Sequence, residues 1–257
     1  MPYNEQLIAY KTILIKEVLR FSRIWVQTIL PPVITTVLYL LIFGNLIGSK
    51  IGMMDGHSYI DFIIPGLILM TVITNSYANA VSSFYSAKFQ RHIEELLVSP
   101  MPNYIILLGF ISGAVARGMI VAVAVTITCA FFTDMQFEHF FIILFSCFFT
   151  SALFATAGVI NAIYAKTFDD ISIIPVFVLT PLTYLGGIFY SIKMLPDFWQ
   201  QISVFNPVLH MINLFRYGFL GVSDTNILYA FLFVVLVLII LLSWAMILLN
   251  KGIRIKT

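Results

Sequence analysis

Long apolar stretches recur along this 257-residue chain and are separated by short polar connectors. A helix of roughly 20 apolar residues crosses a bilayer whose hydrocarbon core is about 30 Å thick. Hydrophobic residues make up 60% of the chain and charged residues 10%, whereas ordinary soluble domains have about 45–50% and 25%. The pattern therefore predicts an all-α polytopic membrane protein.

The apolar runs predict six transmembrane helices within a single transmembrane domain over residues 1–257. The spans are residues 24–47, 59–86, 104–132, 140–164, 171–190 and 227–249. Prolines inside these runs are tolerated because neighbouring helices can satisfy the freed backbone groups. The first run begins at Ile24 and is longer than a signal-peptide core, so we expect it to remain in the mature protein.

Three segments outside the spans have mixed character. Residues 4–23 alternate apolar positions such as Ile8 and Ile15 with lysine, arginine and Glu17, which predicts an N-terminal interfacial amphipathic helix. Residues 87–103 place apolar side chains at helical spacing and end in two prolines, which predicts a short amphipathic helix outside the bilayer core. Residues 191–224 contain two short helical runs broken by prolines.

The distribution of lysine and arginine predicts the orientation, because cytoplasmic connectors carry the excess of these residues. One side has ten of them: Lys11, Lys16, Arg20, Arg23, Lys88, Arg91, Lys166, Lys251, Arg254 and Lys256. The other side has three: Lys50, Lys193 and Arg216. Both termini and the 87–103 segment are therefore predicted to be cytoplasmic.

Several classes of function find no support in the sequence. There is no basic block of the kind that binds nucleic acid. Cys129 and Cys147 lie inside apolar spans and outside any Cys/His cluster, so they are interpreted as packing residues and no metal site is expected. The chain has no G-x-x-x-x-G-K-[ST] phosphate loop, since the glycines and lysine of residues 44–50 have the wrong spacing.

The predicted helix at residues 90–98 carries the clearest signal for a partner. It could rest on lipid headgroups, but the anionic inner leaflet would repel the adjacent carboxylates of Glu94 and Glu95. A protein partner with basic residues is the favoured interpretation. Ile93 and Leu97 lie one turn apart, and we expect them to pack into an apolar notch of that partner.

Several short motifs together make the chain resemble a known family over nearly its whole length. They are Glu94-Glu95-Leu96-Leu97-Val98-Ser99-Pro100, Phe168-Asp169-Asp170, Tyr184-Leu185-Gly186-Gly187-Ile188-Phe189-Tyr190 with Leu195-Pro196, and Asn206-Pro207 followed by Arg216-Tyr217-Gly218. In these motifs the sequence resembles the membrane subunits of ABC-2 type transporters.

The resemblance implies a permease of the bacterial inner membrane that pairs with a second copy of itself and with two copies of a separate ATP-binding subunit. ATP and Mg²⁺ would then be bound by the partner subunit, with no cofactor in this chain. The substrate class it suggests for export is amphipathic, lipid-linked, glycosylated or drug-like. The residues it implies for coupling are Arg91, His92, Ile93, Glu94, Glu95, Leu97, Phe168, Asp169 and Asp170.

The resemblance also implies that the segment before the last span forms a re-entrant hairpin on the outer side, although an ordinary extracytoplasmic loop would explain its prolines almost as well. Polar residues within the spans have two interpretations, helix packing or a translocation path. They are Thr71, Thr74, Asn75 and Asn79, which we place on one helix face, and Arg117, Thr180 and Thr183. Pairing with helix carbonyls, or another polar bridge, is the structural interpretation of Arg117.

Two other classes of function fit the sequence less well. An ATP-independent secondary transporter or channel commonly has several intramembrane carboxylates, but only Asp61 qualifies even loosely. An intramembrane protease would need a group to activate Ser112, and no suitably spaced histidine or aspartate is evident.

Overall fold

A computed structural model describes residues 1–253, apart from the side chain of Asn45. The α-helices are α1 Tyr3–Ser22, α2 Trp25–Tyr39, α3 Gly48–Ile51, α4 Tyr59–Phe89, α5 His92–Val98, α6 Asn103–Cys129, α7 Phe140–Tyr164, α8 Asp170–Ile174, α9 Thr180–Tyr184, α10 Asp197–Val204, α11 Pro207–Leu220 and α12 Ile227–Lys251. π-helical turns at Leu40–Ile47 and Pro175–Leu179 continue α2 and α8, and Ile192–Met194 is a 3₁₀ turn. One small antiparallel ribbon pairs β1 Met53–Met54 with β2 His57–Ser58.

Within residues 1–253, five helices are long and apolar enough to cross a membrane. They are Trp25–Ile51, α4, α6, α7 and α12. Apolar side chains of the first span, α6, α7 and α12 remain exposed on the outside of the bundle, where lipid tails can cover them, whereas those of α4 are mostly buried. The all-α polytopic class is therefore confirmed, and five of the predicted spans correspond to these helices, although the third ends at Cys129 and residues 130–132 form a turn.

The fifth predicted span, residues 171–190, ends too late. The helix runs from Asp170 to Tyr184 and is about 22 Å long at 1.5 Å per residue. After the C-cap residue Leu185 the chain turns away from the helix, and Gly187 within this turn has a positive φ of 76°. Gly186 also lies so close to α11 that an added Cβ would be 2.8 Å from Val208 Cγ1. Residues 185–190 are therefore a packed turn.

Residues 197–220 form the predicted pair of short helices. Asn206 separates them, and its Oδ1 accepts a hydrogen bond from the backbone N–H of Val208 at 2.9 Å, which caps α11. Pro207 occupies the first helical position, where its missing N–H has no consequence. Helix α11 packs against α4, α7 and α12, so it is buried inside the bundle.

Helix α1 is more than an interfacial helix, because one of its faces packs against α6. Gly109 and Gly113 lie one turn apart and leave room for Ile13 and Glu17, whose side chains would overlap any added Cβ. Tyr10 Oη also donates to Ser112 Oγ at 2.9 Å. Glu17 is fully buried, so its placement among the solvated charges of an amphipathic helix is wrong.

Three contacts group the helix ends that the orientation prediction placed together. Asn103 Nδ2 donates to Asn250 Oδ1 at 2.9 Å, Lys88 Nζ donates to the Ile163 carbonyl at 2.6 Å, and Tyr85 Oη donates to the Lys166 carbonyl at 2.8 Å. We call this the α5 end of the bundle. Arg254 and Lys256, which the orientation prediction also counted, lie outside the described residues.

Candidate functional site

At the α5 end, the connector between α7 and α8 packs against the last turn of α4, which leads into α5. Phe168 packs edge-on against Tyr85 with ring centroids 4.8 Å apart, and its centroid is 5.3 Å from that of Phe89. Phe89 is the last residue of α4, just before the turn into α5. The two segments that the family resemblance implied for coupling therefore lie at the same end of the bundle, and Phe168 packs on the end of α4 that leads into α5. We call Phe89, residues 90–98 and residues 167–170 the coupling surface.

The turn before α5 is sharper than predicted. Arg91 has a left-handed backbone with φ of 62°, and α5 begins only at His92. Gln90 and Arg91 therefore precede the helix, so the predicted helix from residue 90 starts two residues too early. Arg91 is exposed and lies in the turn between α4 and α5.

The orientation of α5 corrects the predicted contact residues. Ile93 is fully buried against its own chain, and Leu97 and Glu94 are half-buried. Ile93 therefore has no surface to offer a notch in a partner, because the apolar side of α5 packs back against its own bundle. The exposed side presents His92, Glu95 and Val98, and Val98 is 87% exposed.

Asp170 shapes the connector, while Asp169 faces outwards. Asp170 Oδ2 accepts hydrogen bonds from the backbone N–H of Lys166 at 2.8 Å and of Thr167 at 3.0 Å. These donors favour the ionised form and hold the pKa of Asp170 below its usual value. Asp169 is exposed beside Phe168, so it is the carboxylate that a partner can reach.

Lys88 joins α4 to the end of α7, a role that sequence reasoning missed. Its ammonium donates to the carbonyls of Ala162, Ile163 and Ala165 at 3.3, 2.6 and 2.8 Å. The last carbonyls of a helix have no partner within the helix and carry partial negative charge, so a lysine there is stabilising. This contact fixes the connector relative to α5.

A cavity of about 380 Å³ opens between the first span, α4 and the α8–α9 helix. We call it the membrane groove. Hydroxyl, aromatic and aliphatic side chains line it together: Tyr39, Met70, Thr74, Tyr77, Thr180, Thr183 and Tyr184. Three of the predicted path residues, Thr74, Thr180 and Thr183, therefore share one cavity.

The other polar residues of α4 do not line the membrane groove, so their placement on one face with Thr74 is wrong. Asn79 follows Thr74 by five residues, which corresponds to about 140° around a helix. Asn75 and Asn79 turn towards α6, and the hydroxyl of Thr71 donates to the carbonyl of Ile68 in its own helix.

Arg117 is compensated by asparagine side chains. Its Nη2 donates to Asn75 Oδ1 at 3.0 Å and its Nη1 to Asn79 Oδ1 at 3.5 Å. Arg20 from α1 shares the Asn79 acceptor at 2.8 Å. These contacts form a polar bridge between α6 and α4 through side-chain amides, and helix carbonyls, the other structural interpretation of this cation, take no part in them.

Glu17 completes this network, which we call the polar cluster: Glu17, Arg20, Asn75, Asn79, Ser83 and Arg117. Glu17 Oε2 accepts from Ser83 Oγ at 2.6 Å and pairs with Arg20 Nε at 3.2 Å. Sequence reasoning missed Glu17 and Arg20 because both read as surface charges. The available signal was Gly109 and Gly113, which are spaced to admit another helix.

A second buried cation lies at the opposite end of the bundle. Arg216 is 2% exposed, donates to the Gly187 carbonyl at 2.7 Å, and lies 3.8 Å from the carboxylate of Asp224. Its guanidinium carbon is 3.8 Å from the centroid of the Phe62 ring. These contacts tie α11 to the turn after α9 and to α4.

This bundle of apolar helices, with a groove among its spans and an exposed helix at one end, defines a polytopic α-helical membrane protein. Residues 8–220 match the ABC-2 type transporter family, and the chain belongs to that family. It is thereby a transport permease subunit rather than an enzyme.

Individual relatives extend the match over most of the chain. The protein is 53% identical over 249 residues to the inner membrane transport permease YadH of Escherichia coli (strain K12), covering 96% of this chain and 97% of the relative. It is 26% identical over 195 residues to nodulation protein J of Rhizobium leguminosarum bv. viciae, covering 74% of each chain. Nodulation protein J of Rhizobium meliloti (strain 1021) is 23% identical over 204 residues, which is 79% of this chain and 78% of the relative.

Proposed function

We propose that this chain is the membrane subunit of an ATP-driven exporter in the bacterial inner membrane. The observation that carries the proposal is the packing of Phe168 on Phe89, which joins two connectors into one coupling surface beside the exposed side of α5. Motion of the ATP-binding subunit can reach the spans only through a rigid contact. This surface adjoins the end of α4 directly and is tied to the end of α7 through Lys88.

ATP and Mg²⁺ belong to the partner subunit in this proposal. Membership in the family implies a separate ATP-binding subunit, and this sequence carries no phosphate loop of its own. The name of the YadH relative, an inner membrane transport permease, supports the same location and role for this chain.

The proposed assembly has two copies of this chain and two ATP-binding subunits. In this assembly the second copy packs against the α8–α9 helix, where Val176 is 59% and Phe177 74% exposed. A second copy would cover this side, and membrane lipid would cover the rest. The mixed hydroxyl and aromatic lining of the groove suits an amphipathic, lipid-linked, glycosylated or drug-like substrate.

Photocrosslinking in intact membranes tests whether an ATP-binding subunit contacts the coupling surface. We place a photoreactive benzophenone amino acid at Val98, on the exposed side of α5, and as a matched control at Glu138, which is exposed at the opposite end. The expected result is a crosslink from position 98, and not from position 138, to a protein with a phosphate-loop sequence. Crosslinks from position 98 to lipid alone would contradict the proposal.

Charge reversal then tests whether the contact transmits work. Glu94→Lys with Glu95→Lys should weaken copurification of the crosslinked ATPase or uncouple its hydrolysis from transport, since carboxylates bind basic partners through charge-assisted hydrogen bonds. Glu138→Lys is the control for charge. Membrane insertion should be unchanged in both variants because neither segment is apolar enough to span. Wild-type copurification and transport in the double variant would show that these carboxylates are merely solvated.

A further inference from the structure

The corner where α1 meets α2 is concave and strongly basic. It encloses about 630 Å³ and is lined by Thr12, Ile15, Lys16, Leu19, Arg20, Arg23 and Ile24. We propose that this corner is a binding site for one anionic phospholipid, with the headgroup phosphate against the basic side chains and an acyl chain along the apolar ones. The choice of leaflet rests on the cytoplasmic N-terminus predicted above. We call the site the lipid corner.

The lipid corner carries an excess of positive charge. Lys16, Arg20 and Arg23 line the corner, and Glu17 is the carboxylate paired with two of them, at 3.6 Å from Lys16 and 3.2 Å from Arg20. Arg23 is exposed and forms no ion pair with any residue that the structure describes. Arg117 adds a further positive charge behind Arg20. Three cations against one carboxylate favour an anion in the corner.

The apolar lining of the corner favours a lipid over a free anion. Ile15, Leu19 and Ile24 are 57%, 49% and 42% exposed in the same corner. Trp25, the first residue of the first span, is 59% exposed, and tryptophan concentrates at the level of lipid headgroups. Anionic lipids are enriched in the cytoplasmic leaflet and attract basic residues there. The corner therefore offers both halves of a phospholipid site at the appropriate depth.

Arg20 connects the lipid corner to the spans. The guanidinium that lines the corner also donates to Asn79 Oδ1 at 2.8 Å, within the polar cluster that holds α1, α4 and α6 together. A bound phosphate would offset the repulsion between Arg20 and Arg117. Lipid binding should therefore raise the thermal stability of the whole bundle as well as occupy its surface.

Native mass spectrometry of detergent-purified, delipidated protein tests the site. Phosphatidylglycerol should bind more tightly than phosphatidylcholine. Lys16→Gln with Arg23→Gln should weaken phosphatidylglycerol binding about 30-fold, which is about 2 kcal/mol at ~1 kcal/mol for each basic residue. The matched control is Lys11→Gln with Lys251→Gln, which removes two exposed charges outside the corner and should retain wild-type binding.

Each other outcome has a definite meaning. Equal loss of phosphatidylglycerol binding in the two double variants would show diffuse electrostatic attraction and overturn the proposed site. Unchanged binding in the Lys16/Arg23 variant would also overturn it. If inorganic phosphate stabilises the wild-type protein as strongly as phosphatidylglycerol does, the corner binds a free anion and the lipid proposal is overturned. If the corner variant does not fold, Lys16→Arg with Arg23→Lys keeps both charges and must keep binding. These readouts involve no ATPase, so they stand apart from the proposed function.

Discussion

Glu17→Gln removes the negative charge at the centre of the polar cluster. The carboxylate is fully buried, accepts from Ser83 Oγ at 2.6 Å, and pairs with Arg20 Nε at 3.2 Å. A glutamine keeps an oxygen for Ser83 but places a neutral amide beside Arg20. The substitution therefore weakens the Ser83 contact, which fastens α1 to α4, and the pair within α1 that orients Arg20 towards Asn79 of α4.

The expected loss can be worked from these contacts. A hydrogen bond to a charged group contributes about 1.5–3 kcal/mol and a neutral one about 0.5–1.5, so the Ser83 contact should lose about 1 kcal/mol. Breaking a fully buried ion pair costs about 3–5 kcal/mol, but the Arg20 side chain is 32% exposed, so we take about 1–2 for this pair. The sum is about 2–3 kcal/mol, or a fall of about 4–12 °C in Tm for a chain of this size.

Thermal unfolding of the detergent-purified protein, followed by tryptophan fluorescence, measures this loss. Glu5→Gln is the matched control because Glu5 is an exposed carboxylate on the same helix. A double-mutant cycle with Ser83→Ala should give a coupling energy of about 1 kcal/mol, since the two side chains are in contact. A Tm for Glu17→Gln no lower than that for Glu5→Gln would refute the argument that the buried charge holds α1 in place.

Two further predictions concern the orientation and the buried cation. A cysteine at Val98 should react with a membrane-impermeant maleimide only after cells are opened. A cysteine at Met53, which is 72% exposed at the other end of the bundle, should react in intact cells. The reverse pattern would show that the predicted orientation is inverted. Asn75→Leu should lower Tm because it leaves Arg117 without its 3.0 Å acceptor, whereas Thr74→Leu on the exposed side of the same helix should not. Loss of transport in Asn75→Leu at normal Tm would favour a translocation-path role for Arg117.

The helical class and most of the spans could be predicted from residue order alone. A segment such as Phe140–Tyr164 has to be helical in lipid because no water is available to hydrogen-bond its backbone. The length of an apolar run is therefore almost enough to predict a membrane-spanning helix. The α5 segment also stood out, because it carries charged residues close to proline between apolar runs, whereas residues 168–170 were indicated by the family resemblance alone. Residue order therefore identified most of the stretches that are long and apolar enough to cross a membrane, and the charged connectors between them.

Only the tertiary structure decided which face of each helix meets which neighbour. From the sequence, Glu17 resembles a surface charge, but in the structure it is buried against Gly113 of α6. From the sequence, Ile93 resembles a partner-contact residue, but in the structure its own bundle covers it. Helix packing also places Thr74 and Asn79 on different sides of α4: Thr74 faces the membrane groove and Asn79 faces Arg117. Lipid tails are as apolar as the helices they surround, so hydropathy does not distinguish a lipid-facing side from a protein-facing one, and close packing and hydrogen bonding between helices make that choice.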